Sequence, residues 1–346
     1  PVIKESPEDF VVEEIPAYEP SGTGNHVYVR FTKRDMTTDA AVRAIARALE
    51  VDARNAGVAG MKDKRAVTTQ TISLEPQRGK SADELAERAR ALALPDITIL
   101  GAQKHGNKLK TGHLHGNRFA IVVRKLGPDE ARAIATRVER VKREGVPNAF
   151  GEQRFGRDAD NAERALAILN GKEPEPRDKR LLRLLYSALQ SDVFNLILAE
   201  RVARGTWATP MLGDVLKKTE TGGLFVCTDE QEDRARAERG EVSPTGPLVG
   251  PKMPRAEGEP GEIEMRIARE RLGGAFDAAM SGALGEGTRR AFRLLVSNLR
   301  VVSEASYNSV AVANGEHETG CRLEFVLPKG AFATTVLAFL TGTEAG

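Results

Sequence analysis

The residues best suited to chemistry lie in one short run, Gly60-Met61-Lys62-Asp63-Lys64-Arg65-Ala66-Val67-Thr68. Its only carboxylate, Asp63, stands among three cations just before a β-branched segment. Nearby positive charge favours the ionised form of a carboxylate, and an ionised aspartate on a loop can act as a nucleophile or a general base. A charged surface turn is the alternative interpretation, because Lys-Asp-Lys is common. The run therefore offers a candidate catalytic carboxylate and does not by itself decide its role.

A second segment, 108–119, has the composition of a nucleic-acid contact. Gly112 and Gly116 allow a ligand to approach the backbone closely. Asn117 offers both a donor and an acceptor, as recognition of a base edge requires, and Phe119 offers a flat face on which a base can stack. The alternative is the tip of a β-hairpin, with Phe119 as the first core residue of the next strand.

The histidines of this segment raise the question of a metal. His113 and His115 would share one face of a strand, and with Asp63 they could serve a metal-dependent nuclease that loses activity with a chelator. A zinc centre needs three or four ligands, however, and Cys227 and Cys321 have no histidine-flanked spacing. No metal is therefore predicted.

Two further segments combine glycine with residues that can bind phosphate. The run 148–156, NAFGEQRFG, places Gln153 and Arg154 between two Phe-Gly pairs, of which Phe155 begins the second, and the guanidinium of arginine matches phosphate geometry. A glycine-rich domain junction is the alternative. Near the end, 327–337 places a helix start after a Pro-x-Gly turn, where phosphate can bind, although a plain helix start fits equally well.

Charge is unevenly distributed along the chain. The net charge is only +2, from 51 basic and 49 acidic side chains, yet residues 101–125 contain no acid. The basic residues of this segment are Lys104, Lys108, Lys110, Arg118, Arg124 and Lys125. A local positive field suits a polyanion, whereas a solvated surface would have the same composition. Charge alone leaves nucleic-acid binding and a solvated face about equally supported.

The whole composition is that of a soluble globular protein. The 346 residues are 40% hydrophobic and 29% charged, and the length suits two domains. No apolar run approaches the ~20 residues that cross a bilayer, and no apolar h-region of a signal peptide follows the first residues. The two cysteines have no paired spacing. We therefore expect a cytoplasmic protein that does not enter a membrane.

Periodicity predicts an α+β protein with a distinct middle region. The predicted strands are 9–15, 26–32, 67–74, 97–103, 119–125, 294–303 and 322–327. The predicted helices are 37–49, 81–92, 128–144, 161–169, 179–203, 230–239, 263–272, 275–280 and 332–340. Residues 157–303 therefore form a separate, mostly helical unit, and both ends of the chain are α+β.

Taken together, these motifs resemble the TruD family of pseudouridine synthases. The matching residues, in the order of the family, are Lys4, Pro7, Asp9, Phe10, Val12 and Glu13; Gly60, Lys62, Asp63, Lys64, Ala66, Val67 and Thr68; Gly116, Asn117 and Phe119; Asn148, Phe150, Gly151, Gln153, Arg154, Phe155 and Gly156; and Leu327, Pro328, Gly330, Phe332, Ala333 and Thr334. Each motif is moderately specific, and five in the same order leave little room for chance. The region 157–303 matches only as an insertion of about the expected size.

The resemblance implies a fold and a domain arrangement. Residues 1–156 and 304–346 would form the discontinuous pseudouridine synthase domain, a mixed and largely antiparallel sheet flanked by helices. Residues 157–303 would form the inserted TRUD domain, with RNA bound in the cleft between the two.

The resemblance also implies an activity. The family converts a uridine in the D-arm of tRNA, by convention uridine-13, into pseudouridine, without a cofactor. Asp63 matches the catalytic aspartate, and attack on the sugar and abstraction of a ribose proton both remain open as its role. The other substrate-binding positions implied are Lys4, Phe10, Asn117, Phe119 and Phe155. A non-catalytic RNA-binding or RNA-folding protein is the alternative function.

The remaining expectations concern RNA and other partners. The candidate contacts to the RNA backbone are Lys62, Lys64, Lys104, Lys108, Lys110, Arg118 and Arg154. The expected partner is tRNA, which these cations would hold through its phosphates. No obligate protein partner is expected, and the protein is expected to be a monomer.

Overall fold

The computed structural model of this chain describes residues 1–302 and 320–342, which form two compact units. The first contains Pro1–Val138 and Val296–Ala333, and the second contains Glu139–Leu295 and Thr334–Gly346. The predicted domain bound at 156–157 differs from these limits, and the bound at 303–304 lies outside the described residues. The predicted division into domains stays a prediction.

The described part of the chain forms sixteen strands and nine α-helices. The strands are β1 Val2–Ile3, β2 Phe10–Pro16, β3 His26–Arg34, β4 Gly57–Val58, β5 Val67–Leu74, β6 Ala93–Leu94, β7 Ile97–His105, β8 Leu114–Arg124, β9 Val146–Pro147, β10 Val215–Lys218, β11 Leu224–Val226, β12 Val242–Leu248, β13 Thr288–Ala291, β14 Arg293–Leu294, β15 Ser297–Val302 and β16 Cys321–Pro328. The helices are α1 Thr38–Ala48, α2 Ala82–Arg90, α3 Pro128–Glu144, α4 Asn161–Leu169, α5 Lys179–Ala203, α6 Glu230–Glu238, α7 Gly258–Leu272, α8 Phe276–Met280 and α9 Ala333–Thr341.

The ten strands of the first unit form one sheet. Its order is β15-β16-β8-β2-β5-β3-β7-β6, with β1 also paired to β8 and β4 to β5. Among the described pairs of this sheet, only β2 and β5 run parallel. The sheet is thus mixed and largely antiparallel, as expected.

Two amphipathic helices cover the β3 side of this sheet. Alternation along β3 buries Val27, Val29 and Phe31 against α1 and α2. The N-cap side chain of Thr37 accepts a hydrogen bond from the main chain at the start of α1, and Ser81 does the same at the start of α2. Such caps satisfy main-chain N–H groups that the first turn leaves without partners. The sequence therefore predicted both helix starts correctly.

The central strand β8 is longer than predicted. It begins at Leu114 and not at residue 119, because it pairs along its length with β2 on one side and β16 on the other. Gly116 serves this pairing, since a Cβ at this position would lie 2.1 Å from the carbonyl oxygen of Leu327 on β16. The glycine is explained by the close approach of two strands, and the alternative interpretation as a hairpin tip does not hold at Gly116, which lies within β8.

The second unit joins a helical core to a small sheet. Helices α4, α5 and α7 pack in one apolar cluster, and β11-β10-β12-β13 form a four-stranded sheet beside the two-stranded pair β14-β9. Helix α7 begins at Gly258, five residues before the predicted start.

The length and composition of α5 are those of a helix that could cross a membrane. Half of its most apolar window is buried inside the protein, where Leu185, Leu189 and Phe194 belong to the apolar cluster. The core helix of a soluble protein has the same properties, so this helix alone is weak support for a membrane span.

Candidate active site

The Asp63 carboxylate lies on the loop between β4 and β5 and is held by a lysine from the start of the chain. Half of the Asp63 side chain is exposed, and the Lys4 ammonium lies 2.8 Å from its Oδ1 atom. Lys4 adopts a left-handed conformation, with φ of 62°, which is uncommon for a residue with a side chain. Backbone strain of this kind often occurs at functional positions. Here it occurs at Lys4, which contacts the Asp63 carboxylate.

Three aromatic rings in contact with one another lie beside this ion pair. The Lys4 ammonium is 3.8 Å from the centroid of the Phe10 ring. The Phe10 ring meets Phe119 edge to face at 6.2 Å, and Phe119 stacks on Phe325 at 5.3 Å. All three rings are buried, with Phe119 5% exposed. The pairing of β8 with β2 and β16 brings the rings together, since Phe325 lies directly opposite Phe119.

A buried lysine anchors the main chain of Asp63. The Lys33 side chain is fully buried on β3, and its ammonium donates hydrogen bonds to the carbonyls of Met36 at 2.6 Å and of Asp63 at 2.8 Å. Burial lowers the pKa of Lys33 from 10.5 to about 8, with the Asp63 carboxylate opposing this change and the neighbouring Lys62 adding to it. Lys33 therefore anchors the loop of Asp63 from inside the protein.

A buried ion pair anchors the preceding residue. The Lys62 ammonium lies 2.6 Å from Oε2 of Glu14, and both side chains are almost fully buried. The other oxygen of Glu14 accepts a hydrogen bond from the main chain of Thr71 at 3.2 Å, and the main-chain N–H of Lys62 donates to Thr38. The charge of Lys62 is thus paired inside the protein, and its predicted contact with RNA stays a prediction.

The sequence contained a signal for both anchors. Glu14 continues the buried alternation of Phe10 and Val12, and Lys33 continues that of Val29 and Phe31. A charge in phase with the apolar face of a strand requires a buried partner. Sequence reasoning missed both residues, because it treated these strands as scaffold only.

Asn117 lies on β8, opposite Leu327 on one side and Glu14 on the other. Its side-chain Oδ1 atom is buried and accepts no hydrogen bond within the described residues. Unsatisfied buried polar atoms are rare. The predicted role of Asn117 in binding the substrate stays a prediction.

Carboxylates from distant parts of the sequence neutralise much of the basic segment 101–125. Lys104 pairs with Asp83 at 2.7 Å, and Arg118 pairs with Glu13 at 2.7 Å. Arg124 and Lys125 also pair with acids of the first sixteen residues. The segment therefore carries less uncompensated positive charge than its lack of acidic residues suggested.

The cations that remain are few. Lys108 is half-buried and Lys110 is exposed, and neither has a carboxylate within 4.0 Å in the described part of the chain. The same holds for Lys64, which is exposed beside Asp63. These three lysines are the predicted RNA contacts whose charge is most available.

The histidines do not form a metal site in the described residues. His113 precedes β8, and its Nδ1 atom lies 2.6 Å from the hydroxyl of Tyr18, while His105 stacks on the same tyrosine ring. No group of three or more histidine, cysteine or acidic side chains within residues 1–302 and 320–342 could hold a metal ion. The nuclease alternative thus has no ligand set in this part of the chain.

Arg154 and Phe155 lie in the second unit. Phe155 is half-buried and packs against its apolar cluster. The Arg154 guanidinium donates hydrogen bonds to the hydroxyls of Ser187 and Ser191 on α5. Their predicted contacts with RNA stay predictions.

Around Asp63 the structure thus assembles an exposed carboxylate, a cation on one of its oxygens and a rigid loop. Such a carboxylate can attack an electrophilic carbon or remove a proton, and the adjacent ammonium stabilises its negative charge. This arrangement suits a reaction that uses one positioned carboxylate.

Comparison with known proteins gives this site a family. The sequence profile of tRNA pseudouridine synthase D (TruD) matches residues 1–175 and 175–339. The chain is 45% identical to the tRNA pseudouridine synthase D of Anaeromyxobacter sp. (strain Fw109-5) over 341 residues, which cover 97% of this chain and 90% of the relative. It is 39% identical to the protein of that name from Thermus thermophilus, over 99% of this chain and 89% of the relative.

A solved structure agrees with these sequence matches. The crystal structure of the TruD protein from Methanosarcina mazei superposes with a TM-score of 0.80 at 25% identity, covering 99% of this chain and 94% of that one. The chain belongs to the TruD family of tRNA pseudouridine synthases, and the predicted family and α+β fold class are confirmed.

Proposed function

We propose that this chain isomerises a uridine of tRNA to pseudouridine and that Asp63 is its catalytic carboxylate. The observation that carries the proposal is the exposed Asp63 side chain, held at 2.8 Å by Lys4 on a loop that Lys33 and the buried Lys62 fix from inside. Family membership supports the reaction class, and the geometry supports the residue.

The reaction is an isomerisation of the substrate alone. The glycosidic C–N bond breaks, the uracil turns, and a C–C bond forms to the same sugar. The carbon that forms this bond loses a proton and the freed nitrogen gains one, so the composition is unchanged and no electrons are exchanged with a second compound. Asp63 either attacks the anomeric carbon of the sugar or removes a ribose proton. We place the detached uracil against the aromatic floor of Phe10 and Phe119, where it can turn without escaping.

The proposed target is uridine-13 in the D-arm of tRNA. The base must leave its stack to reach Asp63, at a cost of a few kcal/mol. Contacts between phosphates and Lys64, Lys108 and Lys110 would offset that cost. We further propose that Asn117 and Phe155 contact the substrate and that the protein acts as a cytoplasmic monomer on tRNA without a cofactor.

The test is pseudouridine formation in unmodified tRNA transcripts, with the product mapped by chemical labelling. Wild type should modify one D-arm uridine, and Asp63→Asn should abolish turnover while leaving RNA affinity within a few-fold. Turnover by the variant would contradict the role of Asp63. A well-folded wild type that binds tRNA and forms no pseudouridine would instead support a non-catalytic RNA-binding protein.

A further inference from the structure

Hydrogen bonds anchor the start of the glycine-containing run 148–156 in the second unit. The side chain of Asn195 on α5 makes two hydrogen bonds with the main chain of Phe150. Its Oδ1 accepts from the Phe150 N–H at 2.8 Å, and its Nδ2 donates to the Phe150 carbonyl at 2.9 Å. The Asn148 N–H donates to the carbonyl of Phe292 at 2.8 Å. The main chain of Phe150 is therefore anchored to α5, and its ring packs edge to face against Phe194 at 5.5 Å.

Two arginines lie against this ring. The Cζ atom of Arg290 on β13 is 4.0 Å from the centroid of Phe150, and the Cζ atom of Arg154 is 5.3 Å from it. Both arginines are half-buried. Two like charges are thus held beside one another at the surface of the unit.

All their protein partners are neutral. Arg290 donates from Nε and Nη2 to the main-chain and side-chain oxygens of Asn148, at 3.1 and 2.6 Å. Arg154 donates to the hydroxyls of Ser187 and Ser191. Within residues 1–302 and 320–342, no carboxylate lies within 4.0 Å of either arginine, and the Nη1 atom of each donates no hydrogen bond.

The same unit neutralises its other buried arginines. Arg201 pairs with Asp214 at 2.8 Å, and Arg289 pairs with Glu264 at 2.6 Å. Arg293 donates to carbonyls at the C-terminal ends of α3 and α6, where the helix dipole favours a cation. Arg154 and Arg290 have neither kind of compensation.

The charges of this pair are correspondingly disfavoured. Burial lowers the pKa of Arg290 to about 10, with repulsion from Arg154 adding to the effect. Burial also lowers the pKa of Arg154. An anion beside the two guanidiniums would relieve both effects. Guanidinium binds phosphate oxygens through two parallel hydrogen bonds, and each arginine retains unused N–H groups for such contacts.

We propose that Arg154 and Arg290 together bind one phosphodiester group of the RNA substrate, beside the hydroxyl of Ser187. The inference rests on the proposed function for the identity of the RNA. It adds Arg290, which lies in the region 157–303, where the sequence analysis named no RNA contact. It also assigns Arg154 to a site that two arginines form together.

The first test measures the affinity for an unmodified tRNA transcript at several salt concentrations. Arg290→Met and Arg154→Met should each weaken binding about tenfold and reduce the salt dependence by about one phosphate contact. The matched control is Arg204→Met, which removes the same charge from a surface arginine of the same unit that already pairs with Glu200 and Glu259. The control should bind tRNA as wild type does.

The second test separates binding from folding. Ser187→Asp would place a carboxylate beside Arg154 and occupy the anion site from within the protein. The variant should keep or raise the melting temperature and should weaken tRNA binding as the arginine variants do. A merely structural role of the two arginines predicts no loss of affinity in this variant.

The outcomes distinguish the inference from the proposed function. Unchanged affinity and salt dependence in Arg290→Met, Arg154→Met and Ser187→Asp overturn the inference, even if wild type forms pseudouridine. Weaker tRNA binding in all three variants supports the site, even if wild type forms none. Inorganic phosphate is the probe for a free-anion site: if it raises the melting temperature of wild type and not of Ser187→Asp, while tRNA affinity is equal in both, the RNA assignment is overturned.

Discussion

The ammonium of Lys33 donates a 2.8 Å hydrogen bond to the main-chain carbonyl of Asp63. The candidate catalytic residue is thus held from two directions, by Lys33 through its backbone and by Lys4 through its carboxylate. A carboxylate that must meet one atom of an extruded nucleotide depends on such positioning, since small displacements reduce rates strongly.

Replacing Lys33 with methionine should slow pseudouridine formation by more than about tenfold, because the loop of Asp63 loses its anchor. Affinity for tRNA should remain within a few-fold of wild type, since the buried Lys33 side chain cannot reach solvent. Single-turnover rates and equilibrium binding measure the two effects separately. A variant with the wild-type rate would show that the hydrogen bond to the Asp63 carbonyl does not position the carboxylate.

The lowered pKa of Lys33 predicts a pH dependence of stability. The folded protein releases the proton of Lys33 near pH 8, whereas the unfolded chain keeps it to about 10.5. Between these values the unfolded state binds more protons, so the free energy of unfolding rises with pH, by at most about 1.4 kcal/mol per pH unit. Below pH 8 this contribution is constant, and the buried charge is destabilising.

Denaturant unfolding of wild type and Lys33→Met from pH 7 to pH 10 tests this sign, because other groups titrate equally in both proteins. The stability of wild type relative to the variant should increase above pH 8. A constant difference across the range would mean that Lys33 has its ordinary pKa.

The ion pair between Lys4 and Asp63 predicts that catalysis requires a positive charge beside the Asp63 carboxylate. Lys4→Met should lower the rate of the chemical step, because the cation next to the Asp63 carboxylate is lost. Lys4→Arg keeps a positive charge at this position and should retain part of the wild-type rate. Melting temperatures should change little in both variants, since a partly exposed ion pair contributes only ~0–1 kcal/mol. Equal rates for Lys4→Met and wild type would contradict a role for this ammonium in catalysis.

The buried pair of Glu14 and Lys62 predicts a strong effect on stability. Glu14→Gln should reduce the free energy of unfolding by about 3–5 kcal/mol, because it leaves the Lys62 charge buried without a partner. The double variant Glu14→Leu/Lys62→Met should recover much of this loss and should remain slow in catalysis, because the loop has lost the anchor. Additive losses in the double variant would show that the two residues act independently.

The aromatic floor predicts that Phe119 affects catalysis beyond its contribution to folding. Phe119→Ala would remove a buried ring at a cost of about 3–5 kcal/mol, so the milder Phe119→Leu is the better probe. The control is Phe31→Leu, which alters an equally buried ring on the helix-covered side of the sheet. Phe119→Leu should reduce turnover much more than the control at equal stability. Similar turnover in both would support Phe119 as a core residue only.

The sequence alone determined the local elements, the fold class and the family. Alternation and caps such as Thr37 and Ser81 are local signals, so strand β5 and helices α3, α4 and α5 lie where the pattern predicted them. The five motifs, in their order, predicted the family that the comparisons show. Local patterns suffice here, because helix and strand formation depends on neighbours a few residues apart.

Only the tertiary structure decided which distant residues meet. The pairing of β8 with β16 places Phe325 on Phe119 across more than two hundred residues, and buried Glu14 removes Lys62 from the surface. Acids remote in sequence neutralise Lys104 and Arg118. Strand register and charge pairing are set by contacts that are non-local in sequence, so composition along the chain could not reveal them.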